Sequence, residues 1–334
     1  MPADYLEVDQ LTKTFPTAVG LFPWVRNIGR IERRVALDDV SFGVRGGELF
    51  GVVGANGAGK STILRIVAGL VVPDRGTVRV DGIDARTAPL AVRRKVVLCC
   101  TDDRSFYYRL TARRNLEYFG TMAGLDGARL RGRIAEVVRL VDLTDDLDRR
   151  FDAFSSGMKQ RLGIARGLLG DPELLILDEP TRAVDPVHAA SIRGFVRNEL
   201  VGRRGKTVVL ATNLLEEAWE LCDRIAVLRR GRVAAIGSPA ALGVGPDAVR
   251  YAITIDGADD ALLARTRAVP GVIDLAIDAD GACAHLRVVL DSEPRTLTEL
   301  LRAVSANGIC VRSIRPEERR PADVFADLIS ERSQ

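Results

Sequence analysis

The chain has 334 residues, enough for one large domain and a smaller one. Its 48 lysines and arginines nearly balance 45 aspartates and glutamates, and a net charge of only +3 argues against a nucleic-acid partner. The longest apolar runs fall well short of the roughly 20 residues that cross a bilayer. We therefore expect that, if the protein serves a membrane, another polypeptide spans it.

Five cysteines are spread along the chain without a Cys-x-x-Cys spacing. An odd number without that spacing favours a reducing compartment and argues against a disulfide or zinc framework. A cytoplasmic location is therefore expected.

Apolar runs alternate with helical patterns as far as about residue 235, which is typical of an α/β domain with a largely parallel sheet. Strands are predicted at 50–53, 174–177 and 207–211, and helices at 61–70, 112–123 and 128–141.

A composition shift at Gly243-Val244-Gly245-Pro246 predicts a boundary between a domain of residues 1–242 and a second domain of residues 243–334. Beyond it, strands are predicted at 249–255, 273–277, 285–290 and 309–314, and helices at 259–268, 297–305 and 324–329. The order strand, helix, strand, strand, helix, strand predicts a small ferredoxin-like α+β unit.

A glycine-rich segment joins the strand predicted at 50–53 to the helix predicted at 61–70, and it fits the pattern G-x-x-x-x-G-K-[ST]. The residues of this phosphate loop are Gly54, Ala55, Asn56, Gly57, Ala58, Gly59, Lys60 and Ser61. Glycines let successive backbone N–H groups converge on a phosphate at the positive end of a helix. We predict that Lys60 reaches the β- and γ-phosphates of a nucleotide, that Ser61 completes a Mg²⁺ shell and that Thr62 assists at the α-phosphate.

An apolar stretch at 174–177 leads directly into Asp178 and Glu179. Two adjacent carboxylates at a strand end either form a solvated turn or take part in phosphate chemistry, in which Asp178 holds Mg²⁺ through water. Because a phosphate loop is also present, we predict that the two carboxylates take part in phosphate chemistry.

A third motif stands between the other two, the run Phe154-Ser155-Ser156-Gly157-Met158-Lys159-Gln160-Arg161. The three motifs in this order resemble those of an ATP-binding cassette (ABC) ATPase, and the resemblance extends from about residue 6 to residue 239. It implies a P-loop NTPase fold, an α/β cassette with a mostly parallel sheet and a helical subdomain, which binds ATP and Mg²⁺. It also implies that Glu179 polarises the attacking water.

The same resemblance implies that two cassettes act together. Ser155 and the backbone N–H of Gly157 would close over the γ-phosphate of ATP on a second ATP-binding subunit, in a homodimer or a heterodimer. Taken alone, Ser-Ser-Gly before a helix also fits an N-cap, and both roles can hold. Asp185 stands where the D-loop links the two sites, and Phe15 best matches the aromatic residue that stacks on adenine.

Two positions depart from the family pattern, and both are residues that sense the γ-phosphate. Asp102 stands where the Q-loop glutamine belongs, and Asn213 stands where relatives place the switch histidine. Asparagine can hydrogen-bond a phosphate or a water but cannot carry a positive charge or transfer a proton as histidine does. We therefore expect slower turnover than in relatives, unless a partner subunit compensates.

The tail after residue 243 resembles the C-terminal domain of many ATPases of the ABC-2 export family. The resemblance implies an ATP-hydrolysing subunit that powers separate transmembrane permease subunits from the inner face of the cell membrane. Two alternatives stay open at this point: a nucleotide-gated regulatory module that has lost hydrolysis, and a non-transport cassette ATPase acting on ribosomes or DNA.

Overall fold

The chain folds into two compact units, Met1–Ile236 and Gly237–Gln334. The structure is a computed structural model that describes residues 4–18, 31–99, 105–182, 184–239, 241–242, 248–256, 262, 266–267, 269–280, 283–291, 294–305 and 309–317. Asp102 and the helix predicted at 324–329 lie outside the described residues.

Ten strands are described up to residue 237, and they form two sheets. They are β1 (Leu6–Ala18), β2 (Ile31–Val44), β3 (Leu49–Gly54), β4 (Arg75–Val80), β5 (Ile83–Asp84), β6 (Val96–Cys99), β7 (Leu174–Asp178), β8 (Thr207–Thr212), β9 (Arg224–Arg229) and β10 (Arg232–Gly237). The central sheet has the order β10-β9-β3-β8-β7-β6, and the second sheet has the order β2-β1-β4-β5.

The strands β9, β3, β8, β7 and β6 are paired in parallel, as the sequence predicts. Every residue of β3 and β8 is buried, which explains why these strands read as continuous apolar runs rather than as alternating ones. Because β3, β8 and β7 run in one direction, their carboxyl ends meet at one edge of the sheet. The phosphate loop and the Asp178-Glu179 pair therefore lie at the same edge.

The second sheet is antiparallel and rests on the same apolar core as the central one. Leu6 and Leu37 from β1 and β2 belong to one buried cluster with Val52, Leu64 and Ile176. The long β1–β2 pair sets Phe15 opposite Arg34.

Seven helices of the first unit are described. They are α1 (Lys60–Val67), α2 (Pro89–Lys95), α3 (Ala112–Met122), α4 (Gly127–Leu140), α5 (Ser156–Leu168), α6 (Pro186–Gly194), which continues as a π-helical segment over Phe195–Arg203, and α7 (Leu215–Leu221). The helices predicted at 112–123 and 128–141 are confirmed as α3 and α4. None of the helices within the described residues is both long and apolar enough to span a bilayer.

The predicted end of the first helix at residue 70 is wrong, because α1 closes at Val67 with a Schellman motif. Gly69 adopts a φ of 67°. Its N–H donates to the Ile66 carbonyl at 2.9 Å, and the Leu70 N–H donates to the Arg65 carbonyl at 2.8 Å. These two bonds satisfy carbonyls that the helix leaves open.

The second unit is a four-stranded antiparallel sheet with the order β12-β13-β11-β14. Its elements are β11 (Ala248–Asp256), β12 (Val272–Asp280), β13 (Cys283–Asp291), α8 (Pro294–Ser305) and β14 (Val311–Glu317). This strand order agrees with a ferredoxin-like unit, and residues 262, 266 and 267 of the predicted first helix are helical. The unit has its own core, which includes Ile253, Leu286 and Leu300.

Helix α8 begins at Pro294, before the predicted start at residue 297. Proline is favoured in the first turn of a helix, where its missing N–H costs nothing. The strands β12 and β13 are also longer than predicted, and their pairing extends to Asp280 and Cys283.

A buried amide fastens α3 to the segment that precedes it. Asn115 is fully buried, and its Oδ1 accepts the Tyr107 N–H at 2.9 Å. Its Nδ2 donates to the carbonyls of Tyr107 at 3.1 Å and Thr111 at 3.0 Å. Buried polar groups of this kind are costly to leave without partners.

We expect Asn115→Ala to lower the free energy of unfolding by about 1–3 kcal/mol, because it orphans buried backbone groups. The measurement is a urea titration followed by tryptophan fluorescence, since Trp219 belongs to the first unit. Thr121→Ala is the control, because this exposed hydroxyl bonds only the Glu117 carbonyl within its own helix. Equal stability of the two variants would contradict the role assigned to Asn115.

Candidate nucleotide site

The phosphate loop is packed too closely for side chains at two of its glycines. Gly59 has a φ of 110°, and a Cβ there would lie 2.7 Å from the Ala36 carbonyl oxygen. A Cβ on Gly54 would lie 2.7 Å from the Leu228 carbonyl oxygen. The loop is therefore held against β2 and β9, and its backbone is fixed before any ligand arrives.

Lys60 begins α1 and is a buried cation, with only 6% of the residue exposed. Its Nζ donates to the Gly54 carbonyl at 2.7 Å and to the Ala55 carbonyl at 3.3 Å. Burial lowers the pKa of Lys60, while the charges of Glu179 and Asp178 act in the opposite direction. The ammonium group is thus stabilised by loop carbonyls and by carboxylates across the pocket.

Asp178 ends β7 and is hydrogen-bonded to the Ser61 side chain. Burial raises the pKa of Asp178, and the bond to Ser61 opposes that rise. A carboxylate and a hydroxyl together at a phosphate pocket are hard oxygen donors of the kind that Mg²⁺ prefers. The residues present therefore fit a magnesium site.

Glu179 has a left-handed backbone, with a φ of 50° that is rare outside glycine. Its N–H donates to the Ala211 carbonyl at 2.8 Å, and its carbonyl accepts the Arg182 N–H at 3.1 Å. Its Oε2 accepts from Arg182 Nη1 at 2.9 Å. A backbone strained in this way is retained only where the surroundings fix it, and such residues cluster at functional sites.

The phosphate loop, the carboxylate pair and the β1–β2 hairpin enclose one pocket of about 530 Å³. It is lined by Phe15, Arg34, Ala36, Asn56, Gly57, Gly59, Lys60, Ser61, Thr62, Asp178, Glu179 and Arg182. Three residues of the predicted loop are not among these lining residues. The carbonyls of Gly54 and Ala55 accept hydrogen bonds from Lys60, and the Ala58 carbonyl accepts the Gly231 N–H at 3.0 Å.

Three pocket residues were missed by the sequence analysis: Arg34, Ala36 and Arg182. Arg34 comes to the pocket through its register opposite Phe15. Arg182 comes to it through the turn that follows Glu179. The sequence signal for Arg182 was its i,i+3 spacing from Glu179.

Phe15 lies on β1, lines the same pocket as the carboxylate pair and is 39% exposed. Lys13 Nζ lies 5.5 Å from the centre of its ring. Lys13 is in turn held by Asp74 at 2.8 Å. Hydrogen bonds from Lys13 and Thr14 lower the pKa of Asp74 to about 2, so the carboxylate that holds Lys13 stays charged at neutral pH. The ring is left with an exposed surface on which a base can stack.

Ser155 and Gly157 are not among the residues described as lining this pocket. Ser155 is the N-cap of α5, and its Oγ accepts the Met158 N–H at 3.3 Å. A Cβ on Gly157 would lie 3.3 Å from carbons of His188. Asp185 is the N-cap of α6, with Oδ1 accepting the His188 N–H at 3.1 Å and Oδ2 lying 2.6 Å from His188 Nδ1. The starts of α5 and α6 therefore meet at His188.

Asn213 is exposed in the turn after β8, and the described lining of the pocket does not include it. Asp102 lies outside the described residues, so its predicted place in the site stays a prediction.

Residues 37–182 match the family model described as ABC transporter. The linearmycin resistance ATP-binding protein of Bacillus subtilis is 32% identical over 303 residues, which are 89% of this chain and 94% of the relative. A daunorubicin resistance ATP-binding protein of Streptomyces coeruleorubidus is 35% identical over 314 residues, which are 91% of this chain and 94% of the relative. The chain belongs to the ATP-binding proteins of ABC transporters.

A solved ABC cassette has the same fold. It is a dimer in a post-hydrolysis state bound to ADP and phosphate, and it is 27% identical to this chain with a TM-score of 0.60. The match covers 70% of this chain and 98% of the solved one. The predicted cassette fold is confirmed, and the chain is an ATPase of the ABC family.

We expect Lys60→Ala to weaken MgATP binding at least about 100-fold, because each charge-assisted hydrogen bond to phosphate contributes about 1.5–3 kcal/mol. Isothermal titration calorimetry measures the affinity. Lys206→Ala is the matched control, since Lys206 is a mostly buried lysine paired at 3.0 Å with Asp171 and is not among the described pocket residues. Unchanged affinity in Lys60→Ala would remove the phosphate-loop assignment.

We expect Phe15→Ala to weaken ATP binding by about 1–3 kcal/mol, the range that removal of an aromatic stacking partner for a base costs. Phe15→Tyr should keep the affinity, because it keeps the ring. Val35→Ala serves as the control, since Val35 is an exposed apolar residue of β2 beside Arg34. Competition with a fluorescent ATP analogue measures all three, and equal affinities of Phe15→Ala and Val35→Ala would contradict stacking.

Proposed function

We propose that this chain is the ATP-hydrolysing subunit of an ABC-2-like exporter, cytoplasmic and held at the inner face of the cell membrane by separate transmembrane permease subunits. The observation that carries the proposal is the extent of similarity to the two resistance proteins. About nine-tenths of this chain aligns with each of them, so the similarity continues past the cassette into the second unit.

Within one subunit, the phosphate loop and the Asp178-Glu179 pair have different roles in phosphate chemistry. Lys60 and the backbone N–H groups of the phosphate loop bind the β- and γ-phosphates. Ser61 and Asp178 would hold Mg²⁺, which neutralises charge on the phosphate oxygens when it is bound. Glu179 orients the attacking water and accepts its proton.

The second half of each site comes from a second ATP-binding subunit. Ser155 and the Gly157 N–H stand at the start of a 13-residue helix, where backbone donors attract an anion. They are outside the described lining of their own pocket, and this supports a role at the pocket of a partner. The solved relative, a dimer of cassettes, supports the same arrangement.

We expect Glu179→Gln to bind ATP, to lose at least about 100-fold in hydrolysis and to accumulate as a dimer with MgATP, because the amide keeps the shape but cannot accept the proton. Phosphate release and light scattering measure the two effects. Glu199→Gln is the control, since Glu199 lies on the π-helical segment and pairs with Arg203 and Arg204. A Glu179→Gln variant that stays monomeric with MgATP and hydrolyses it normally would overturn the proposed mechanism.

The permease is tested by co-expressing the chain with a membrane protein encoded beside it. We expect the chain to sediment with membranes when that protein is present and to stay in the supernatant when it is deleted. Identical fractionation with and without the membrane protein would contradict this partner.

A further inference from the structure

Arg182 is a cation beside the carboxylate that the proposed mechanism uses as its base. It lines the nucleotide pocket, and its Nη1 donates to Glu179 Oε2 at 2.9 Å. Its side chain is 75% exposed, whereas that of Glu179 is 15% exposed. The arginine is thus the more exposed partner of the ion pair.

The turn that carries Arg182 is fixed by bonds from both ends. The Arg182 N–H donates to the Glu179 carbonyl at 3.1 Å, and the Val184 N–H donates to the Thr181 carbonyl at 3.2 Å. The buried Thr181 hydroxyl donates to Glu217 Oε1 at 2.6 Å. Because the backbone at Glu179 is left-handed, this turn decides where both charged side chains can reach. The fold therefore fixes the backbone positions from which Glu179 and Arg182 form their ion pair.

The charge of Arg182 matters because the residue at 213 is neutral. The family resemblance implies a histidine at this position, and asparagine cannot supply its positive charge. A guanidinium stays protonated at every pH the protein meets, so it can neither take nor deliver the catalytic proton. What it can do is orient a carboxylate and stabilise charge on phosphate oxygens, since it has several donors in a fixed plane.

We propose that Arg182 is a positioning residue for Glu179 and supplies, from the turn after β7, the positive charge that Asn213 lacks. This inference rests on the proposed function. Arg182 holds the Glu179 carboxylate inside the pocket and keeps a permanent cation beside the place of the γ-phosphate. The positive charge that the family resemblance implies for position 213 is thereby supplied within the same subunit.

The test compares ATP hydrolysis by the purified full chain and its variants, with kcat, KM and ATP affinity measured for each. We expect Arg182→Ala to lower kcat roughly 100-fold, as loss of one charge-stabilising donor does, while KM and ATP affinity stay within about threefold. Arg182→Lys should recover only part of kcat, because an ammonium lacks the planar donors of guanidinium.

The decisive variant combines Arg182→Ala with Asn213→His. If the two positions supply the same charge, the histidine should raise kcat at least about tenfold in the Arg182→Ala background and by a smaller factor in the wild-type background. Arg203→Ala is the control, since it removes an equally exposed arginine that is paired with a glutamate, Glu199, at 3.0 Å. It should match the wild type.

Three results would overturn the inference while the proposed function stands. The first is turnover in Arg182→Ala that equals or exceeds that of the wild type. The second is a rise in the KM of Arg182→Ala that accounts for its whole loss of activity, and the third is a double variant as slow as Arg182→Ala. In each case Glu179→Gln would still be inactive. Wild-type turnover no faster than that of Glu179→Gln would instead overturn the proposed function, and the inference would fall with it.

Discussion

The parallel pairing of β3 with β8 and of β8 with β7 determines where the chemistry of this protein can occur. Parallel strands deliver their carboxyl ends to one edge, so residues far apart in the chain meet there. One strand delivers a loop that closes into α1, and another delivers Asp178 and Glu179. The buried apolar strands behind them fix the spacing, because their side chains pack on both faces of the sheet.

Charge is the second constraint on this edge. Lys60 and Asp178 are both partly withdrawn from water, and burial alone would drive the ammonium and the carboxylate toward their neutral forms. Each is stabilised by groups that the fold supplies: carbonyls of the loop for Lys60, and the Ser61 hydroxyl for Asp178. Burial thus opposes both charged forms, and the groups that favour them are already in place before nucleotide binds.

The sequence was most informative where function depends on neighbours in the chain. The loop from Gly54 to Ser61 could be predicted because its glycines and Lys60 act through local backbone geometry. Arg34 could not, because it reaches the pocket through a cross-strand register that a single sequence does not encode. The buried state of Asn115 was equally hidden, since an asparagine in a helical pattern usually faces solvent. The end of α1 was predicted too late for a different reason. The apolar residues after Gly69 favoured a longer helix, although a glycine at this position is also a signal for a helix end.

The contact between Gly157 and His188 has a mechanical consequence. A single methyl group on residue 157 would already crowd the His188 ring, so the starts of α5 and α6 are separated by little more than one layer of atoms. Asp185 fixes His188 from the other side through both its backbone and its ring. A molecule that docks on either helix start therefore lies beside one exposed side chain, His188, and a displacement of His188 is felt at both Gly157 and Asp185.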